Sequence, residues 1–242
     1  TFVPSQENWL PPDNFQEIPV ATIASRTSPT NMGLALLANL AARDFGYLSV
    51  LSLIQRTQDT LATMQRLERY RGHFYNWYET RTLQPLLPKY ISSVDSGNLA
   101  GHLLTLGAGL REQAAEPCLS PQLVPGLRDT VRMLLAQNPD CPALAKLEVE
   151  LTQAPPGLRA AYALLQSVAE QVGTDHAELW AQTLKLTCED HLADIRMLAP
   201  WLTAPRPPGT DQELLTRLDA GLTLQETAAL LTEAGLDPSF HA

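Results

Sequence analysis

The stretch from Tyr70 to His102, YRGHFYNWYETRTLQPLLPKYISSVDSGNLAGH, gathers the residue types able to hold a polar ligand. Tyr70, Phe74, Tyr75, Trp77, Tyr78 and Tyr90 stand together in a chain with only 6% aromatic residues, beside His73, Asn76, Glu79, Arg81 and Asp95. Neither the alternation of a strand nor the repeat of a helix persists through the run, so it reads as a surface loop. A sugar ring offers apolar C–H patches and a rim of hydroxyls. The faces of Tyr75, Trp77 and Tyr78, edged by amides and carboxylates, answer both. Carbohydrate fits this chemistry better than phosphate or nucleotide. The same aromatics also fit a loop that fills space over the end of a helical core.

Other chemistry is poorly supported. Glu79 and Asp95 are the acid pair within the loop, but sixteen positions separate them and their distance in space is open. Glycosidic catalysis would need two carboxyls about 5–5.5 Å or about 6.5–9.5 Å apart. Asp95 and Ser96 are equally good caps for the helix that follows. Cys188-Glu189-Asp190-His191 has metal-ligand types in a row, yet consecutive helical positions point apart, so it reads as a solvated helix face. His176 and His191 fall fifteen residues apart on one helix and cannot share an ion, and His102 reads as a packed or capping residue. No metal or cofactor is expected. Nucleophile-elbow, Walker and dinucleotide motifs are missing from the sequence.

With 242 residues, 45% of them hydrophobic, the chain has material for one large domain or two smaller ones. Its 17 Lys and Arg against 26 Asp and Glu give a net charge of -9, which argues against a nucleic-acid partner. Cys118, Cys141 and Cys188 are odd in number and widely spaced, as expected of buried, inert thiols in a reducing compartment. No apolar run approaches the ~20 residues of a membrane span, and no signal peptide is evident, so direct membrane insertion by this segment is not expected. The opening on Thr1 without a start Met suggests a segment of a longer polypeptide.

The elements that must position the loop are helical. Residues 1–31 carry Pro4, Pro11, Pro12, Pro19 and Pro29 and read as an irregular lead-in that needs a surface to pack on. Helices are expected over Met32–Asp44, with Leu34, Leu37, Leu40 and Ala41 on one face and Thr30 or Asn31 as cap, and over Ser49–Tyr70, stopped by Gly72. These two should form an antiparallel hairpin. Another is expected over Asn98–Gln113, after a short extended piece at Lys89–Val94. Beyond Pro117 the texture turns Ala- and Leu-rich. Helices are expected near 121–137, 142–153, 156–173 and 174–199, then a proline-rich joint at 199–210 and short amphipathic pieces at 211–220 and 224–234. The fold class is all-α, divided at 1–113 and 114–242.

Three blocks, SRTSPTNMGL (Ser25–Leu34), RGHFYNWYETRTLQPL (Arg71–Leu86) and YISSVDSGNLAGHL (Tyr90–Leu103), resemble the central region of bacterial cyclic β-1,2-glucan synthases. LPPDNFQE (Leu10–Glu17) is similar to the opening of that region. The resemblance implies a multi-domain, membrane-embedded parent whose middle part is a glucoamylase-like (α/α)6 toroid that closes β-1,2-glucan rings by retaining transglycosylation. On this chain it implies pocket roles for Arg26, Thr27, Asn31, His73, Tyr75, Asn76, Trp77, Tyr78, Asp95, Ser96 and Asn98. The blocks expected to carry the family's catalytic carboxylates, W-S-G-T-M-F-E-Y, I-S-E-S-A and Y-G-F-Y-E, do not occur in this sequence, so no catalytic residue is assigned. The implied partners are β-1,2-glucan and other domains of the parent, at the cytoplasmic face of the bacterial inner membrane. A rival reading makes residues 114–242 a helical scaffold docking those domains, with the aromatic loop as a plug.

Overall fold

The computed structural model describes residues 3–172, 179–202, 216, 218–226 and 229. Seven α-helices lie among them: α1 Pro29–Asp44, α2 Val50–Arg66, α3 Ser93–Ala115, α4 Leu123–Gln137, α5 Pro142–Glu150, α6 Leu158–Gln171 and α7 Leu179–Leu198. Strands are limited to two-residue pieces: β1 Phe15–Gln16 with β2 Thr22–Ile23, β3 Arg26–Thr27 with β6 Tyr78–Glu79, and β4 Arg69–Tyr70 with β5 His73–Phe74. The fold is all-α. His176, the proline joint beyond Leu202 and most of the two short amphipathic pieces lie outside the described residues.

The chain divides into two compact units, one of residues 1–41 and 53–110, the other of residues 42–52 and 111–242. In the first, Leu10, Met32, Leu36, Leu53, Met64, Leu67 and Tyr78 are buried. The expected inner faces of α1 and α2 hold in part: Leu40, Thr57, Met64 and Leu67 are buried, but Leu34 and Ile54 are exposed, and Leu36, Leu53 and Thr60 also point inward. The irregular lead-in is ordered by polar anchors. Glu7 is 2% exposed. It accepts hydrogen bonds from Ser25 Oγ at 3.0 Å, Arg81 Nε at 3.1 Å and the Thr80 hydroxyl. Burial raises the Glu7 carboxyl, but these donors outweigh it and hold the group below its ordinary range. Asn8 Nδ2 donates to the carbonyls of Thr80 at 2.8 Å and Arg81 at 2.9 Å.

Helix α2 ends before Tyr70 because the chain enters the β4–β5 hairpin. Arg71 (φ 51°) and Gly72 (φ 86°) form its two-residue turn, so Gly72 serves the hairpin and not a helix stop.

The second unit is a helical bundle whose contacts run between α4 and α5, α4 and α7, and α6 and α7. Leu127, Val131, Leu147, Leu165, Val168, Leu184 and Cys188 form its core. The run Cys188–His191 is a solvated face only in part, with Glu189 exposed and Asp190 half-buried. Cys188 and His191 point into the core, and burial pushes the Cys188 thiol up to about 12. Cys118 and Cys141 are half-buried. From α7 the Asp194 carboxylate caps the start of α2, accepting from Val50 N–H at 2.7 Å, Leu51 N–H at 3.3 Å and Ser49 Oγ at 2.9 Å. Asp190 accepts from Ser52 Oγ at 3.0 Å. Among the described residues no helix is long and apolar enough to cross a membrane, and no group of three or more His, Cys, Asp or Glu could hold a metal ion.

Candidate carbohydrate site

Two helix starts and one short ribbon build the site. Ser28 precedes Pro29, and its Oγ accepts from Asn31 N–H at 3.3 Å, so Ser28, not Thr30 or Asn31, caps α1. Ser92 does the same for α3, its Oγ accepting from Asp95 N–H at 3.1 Å. The helix therefore begins at Ser93, five residues earlier than expected, and Asp95 sits inside its first turn. Asp95 returns to the Ser92 hydroxyl as in a capping box and also reaches the start of α1, where Thr30 N–H and the hydroxyls of Thr30 and Ser28 bond it. Burial raises the Asp95 carboxyl. Those four donors outweigh it and the net displacement is downward, so Asp95 is a fixed carboxylate.

Asn76 links this carboxylate to the aromatic loop. Its backbone N–H donates to Tyr90 C=O at 2.9 Å, which folds the loop back on itself. Its amide nitrogen donates to Asp95 Oδ2 at 2.9 Å, and its amide oxygen accepts from Trp77 Nε1 at 2.8 Å and the Tyr90 hydroxyl at 2.7 Å. The opposite amide orientation would set oxygen against carboxylate oxygen. Trp77 and Asp95 are thus two hydrogen bonds apart, and the buried Asn76 side chain fixes both.

The β3–β6 ribbon adds the rest. Arg26 pairs with Glu79 and Thr27 with Tyr78, and the Arg26 guanidinium lies over the Trp77 ring, 5.1 Å from its centroid. Asp13 holds Arg26 at 3.0 Å and accepts from Asn31 Nδ2 at 3.3 Å. Asn98 Nδ2 donates to Thr30 Oγ1 at 3.1 Å. Arg26, Asn31, Asn76, Trp77, Asp95 and Asn98 therefore belong to one connected polar cluster.

Other expected pocket residues are placed differently. Tyr78 is 0% exposed. Its hydroxyl donates to Glu68 C=O at 2.7 Å and accepts from Tyr75 N–H at 2.7 Å, and burial pushes it up to about 12. A ring so enclosed cannot stack on a sugar, so its platform role is corrected to that of a core post. Thr27 is also fully enclosed. Tyr75 is half-buried with Lys89 Nζ 5.3 Å from its ring centroid. His73 is exposed in the β4–β5 hairpin, and the Ser96 N–H is engaged by Ser92 C=O at 3.1 Å. His102 packs on Gly33, where an added Cβ would lie 2.4 Å from its Nδ1. Glu79 is tied to its own turn, accepting from Arg81 N–H at 3.1 Å and from Thr82 N–H. Asp13, Ser28, Thr30, Tyr90 and Ser92 were not assigned to the pocket from sequence. The Ser-Pro pair at Ser28 and the Ser92-x-x-Asp95 spacing are the signals that mark the two helix starts.

No protein-family profile matches the chain. A curated protein, cyclic beta-(1,2)-glucan synthase NdvB of Rhizobium meliloti (strain 1021), is 53% identical to it over 116 residues. The resemblance to a cyclic β-1,2-glucan synthase is real. The matched stretch is 48% of this chain and 4% of that relative, so the chain spans a small part of the synthase it resembles.

Proposed function

We propose that this chain supplies part of the glucan-binding wall in the ring-closing region of a cyclic β-1,2-glucan synthase, within an (α/α)6 toroid that performs retaining transglycosylation. The observation that carries the reading is the Trp77–Asn76–Asp95 relay, which holds an aromatic ring and a carboxylate in fixed register. Ring stacking on Trp77 is the contact a glucosyl unit would make, with Asp95 holding that ring in place through Asn76. Helix α3 agrees with a place in a larger helical layer, since it exposes Val94 (68%) and Leu104 (77%) while burying Leu99 and Leu106.

The partners proposed are β-1,2-glucan and neighbouring domains of a membrane-embedded parent, at the cytoplasmic face of the inner membrane. The chain binds glucan and leaves bond making to carboxylates elsewhere in the parent. Calorimetric titration of the chain with linear β-1,2-glucan, with a β-1,3-glucan as control, tests this. Selective binding that Trp77→Ala abolishes, while circular dichroism shows the variant still folded at the assay temperature, is expected. Equal heats for the two glucans, no binding, or ring closure by the chain alone would each overturn it.

A further inference from the structure

We propose that Asp13 is a positioning residue of this site, one that sets Arg26 across a face of Trp77 and Asn31 beside the start of α1 so that both meet sugar hydroxyls in fixed places. The inference rests on the glucan reading above and adds the group that orients its polar edge. Asp13 lies outside every helix, yet its backbone is pinned: Asp13 N–H donates to Ala24 C=O at 3.1 Å and Ala24 N–H to Asn14 C=O at 3.0 Å, continuing the β1–β2 ribbon. Its carboxylate collects four donors. Oδ2 accepts from Arg26 Nε at 3.2 Å, Arg26 Nη2 at 3.0 Å and Asn14 Nδ2 at 3.1 Å, and Oδ1 accepts from Asn31 Nδ2 at 3.3 Å.

The asymmetry of the pair identifies which partner anchors which. The Asp13 side chain is 20% exposed and that of Arg26 is 50% exposed. An exposed arginine loses much rotamer freedom when it is fixed, and a surface cation–π contact is too weak to fix it alone. The anion supplies the missing restraint by engaging Nε and Nη2, which leaves Nη1 outside the ion pair in a guanidinium lying over the indole. Likewise, an Asn31 amide whose nitrogen faces Asp13 presents its oxygen the other way. One carboxylate therefore creates a donor edge at Arg26 and an acceptor at Asn31. Neighbouring hydroxyls of a glucosyl unit, each able to give and to accept, match that pair. Because Arg26 already lies over one face of Trp77, a sugar stacks on the opposite face.

The test is a double-variant cycle on binding of linear β-1,2-glucan to the chain, using Asp13→Asn, Arg26→Ala, their combination and Trp77→Ala. Asp13→Asn should weaken binding about tenfold, the scale of one charge-assisted hydrogen bond, with the melting temperature held within a few degrees. In the Arg26→Ala background the same change should cost about twofold or less, because the two residues act as one unit. Arg26→Lys, which keeps the charge without the planar fork, should resemble Asp13→Asn. If Asp13→Asn binds like the parent while Trp77→Ala does not bind, the inference is wrong and the glucan reading stands. If the losses of Asp13→Asn and Arg26→Ala multiply, Asp13 does not act through Arg26 and the inference is again wrong. Failure of the parent chain to bind overturns the reading itself. Should Asp13→Asn fail to fold, Arg26→Lys decides alone, and parent-like binding by it counts against the proposal.

Discussion

Replacing His191 by glutamine should uncover a pH dependence that the native chain conceals. Burial raises the Asp194 carboxyl from 3.8 to about 6, against the donors Ser49, Val50 and Leu51 and the charge of Arg43. Between those values the native state holds a proton that the unfolded state has released, so this group's contribution falls as pH rises. His191 runs the other way. Burial first, then Arg43, lowers it from 6.5 to about 4, against the Gly46 carbonyl bond. In that interval the unfolded state holds the extra proton, and stability rises with pH. Each displacement slightly exceeds two units, which at about 1.4 kcal/mol per unit amounts to roughly 3 kcal/mol, with opposite sign for the two groups. They nearly cancel. Removing the imidazole leaves the Asp194 slope exposed, a loss of about 1 kcal/mol per pH unit near pH 5. Asp194→Asn should give the mirror image, a rise of similar steepness. Urea unfolding followed by far-UV circular dichroism across this window measures all three profiles, and slopes are insensitive to any constant cost of the substitutions. A parent that itself changes by about 3 kcal/mol, or a His191→Gln profile as flat as the parent's, would refute the opposed-titration account.

Two further outcomes are expected. Asp95→Ala removes the acceptor for Thr30 N–H and three hydroxyls and should cost about 2 kcal/mol at neutral pH, water replacing part of the lost bonding at this half-exposed position. Because the native carboxyl is held low, the difference from the parent should close as pH falls below 3.8, which melting curves in acid will show. Gly46→Ala should destabilise much more than Gly72→Ala: both glycines have positive φ (78° and 86°), but a Cβ at Gly46 would stand 2.0 Å from Gln122 O, whereas at Gly72 it meets nothing within 4 Å. Denaturant midpoints should separate the two, with about 1 kcal/mol for the hairpin glycine and about 2 kcal/mol or more for Gly46.

The helical elements were legible because apolar spacing survives errors at the ends, and the long identical-looking blocks pointed to the synthase family. The helix starts were less so, since Ser28 and Ser92 cap ahead of the apolar pattern that guided the reading. The stripe Leu184, Cys188, His191, Ile195 keeps helical spacing and is buried throughout, but the polar types in Cys188–His191 made that run of α7 look solvated. Contacts such as Glu7 with Thr80, 73 positions apart, leave no local periodic trace. Tyr78 illustrates the same limit: its type suits a sugar platform, and only its hydroxyl partners show that it faces the interior.

The geometry also bears on what kind of carboxylate Asp95 is. A general acid must hold a proton at working pH, which enzymes arrange by apolar burial or a second nearby anion. Asp95 has the reverse surroundings, with two helix starts, hydroxyls and an amide all donating to it, so its native preference is for the charged form. Capping and ligand holding are compatible here. The donors that stabilise α1 and α3 keep the carboxylate anionic and immobile, and on the proposed reading it holds Trp77 through Asn76 in an arrangement that needs no ordering when a sugar arrives. Glu79 accepts from the amides of its own turn. Asp95 is therefore suited to hold the site's shape and not to give up a proton, and on the proposed reading proton transfer to a departing sugar comes from a carboxyl in different surroundings.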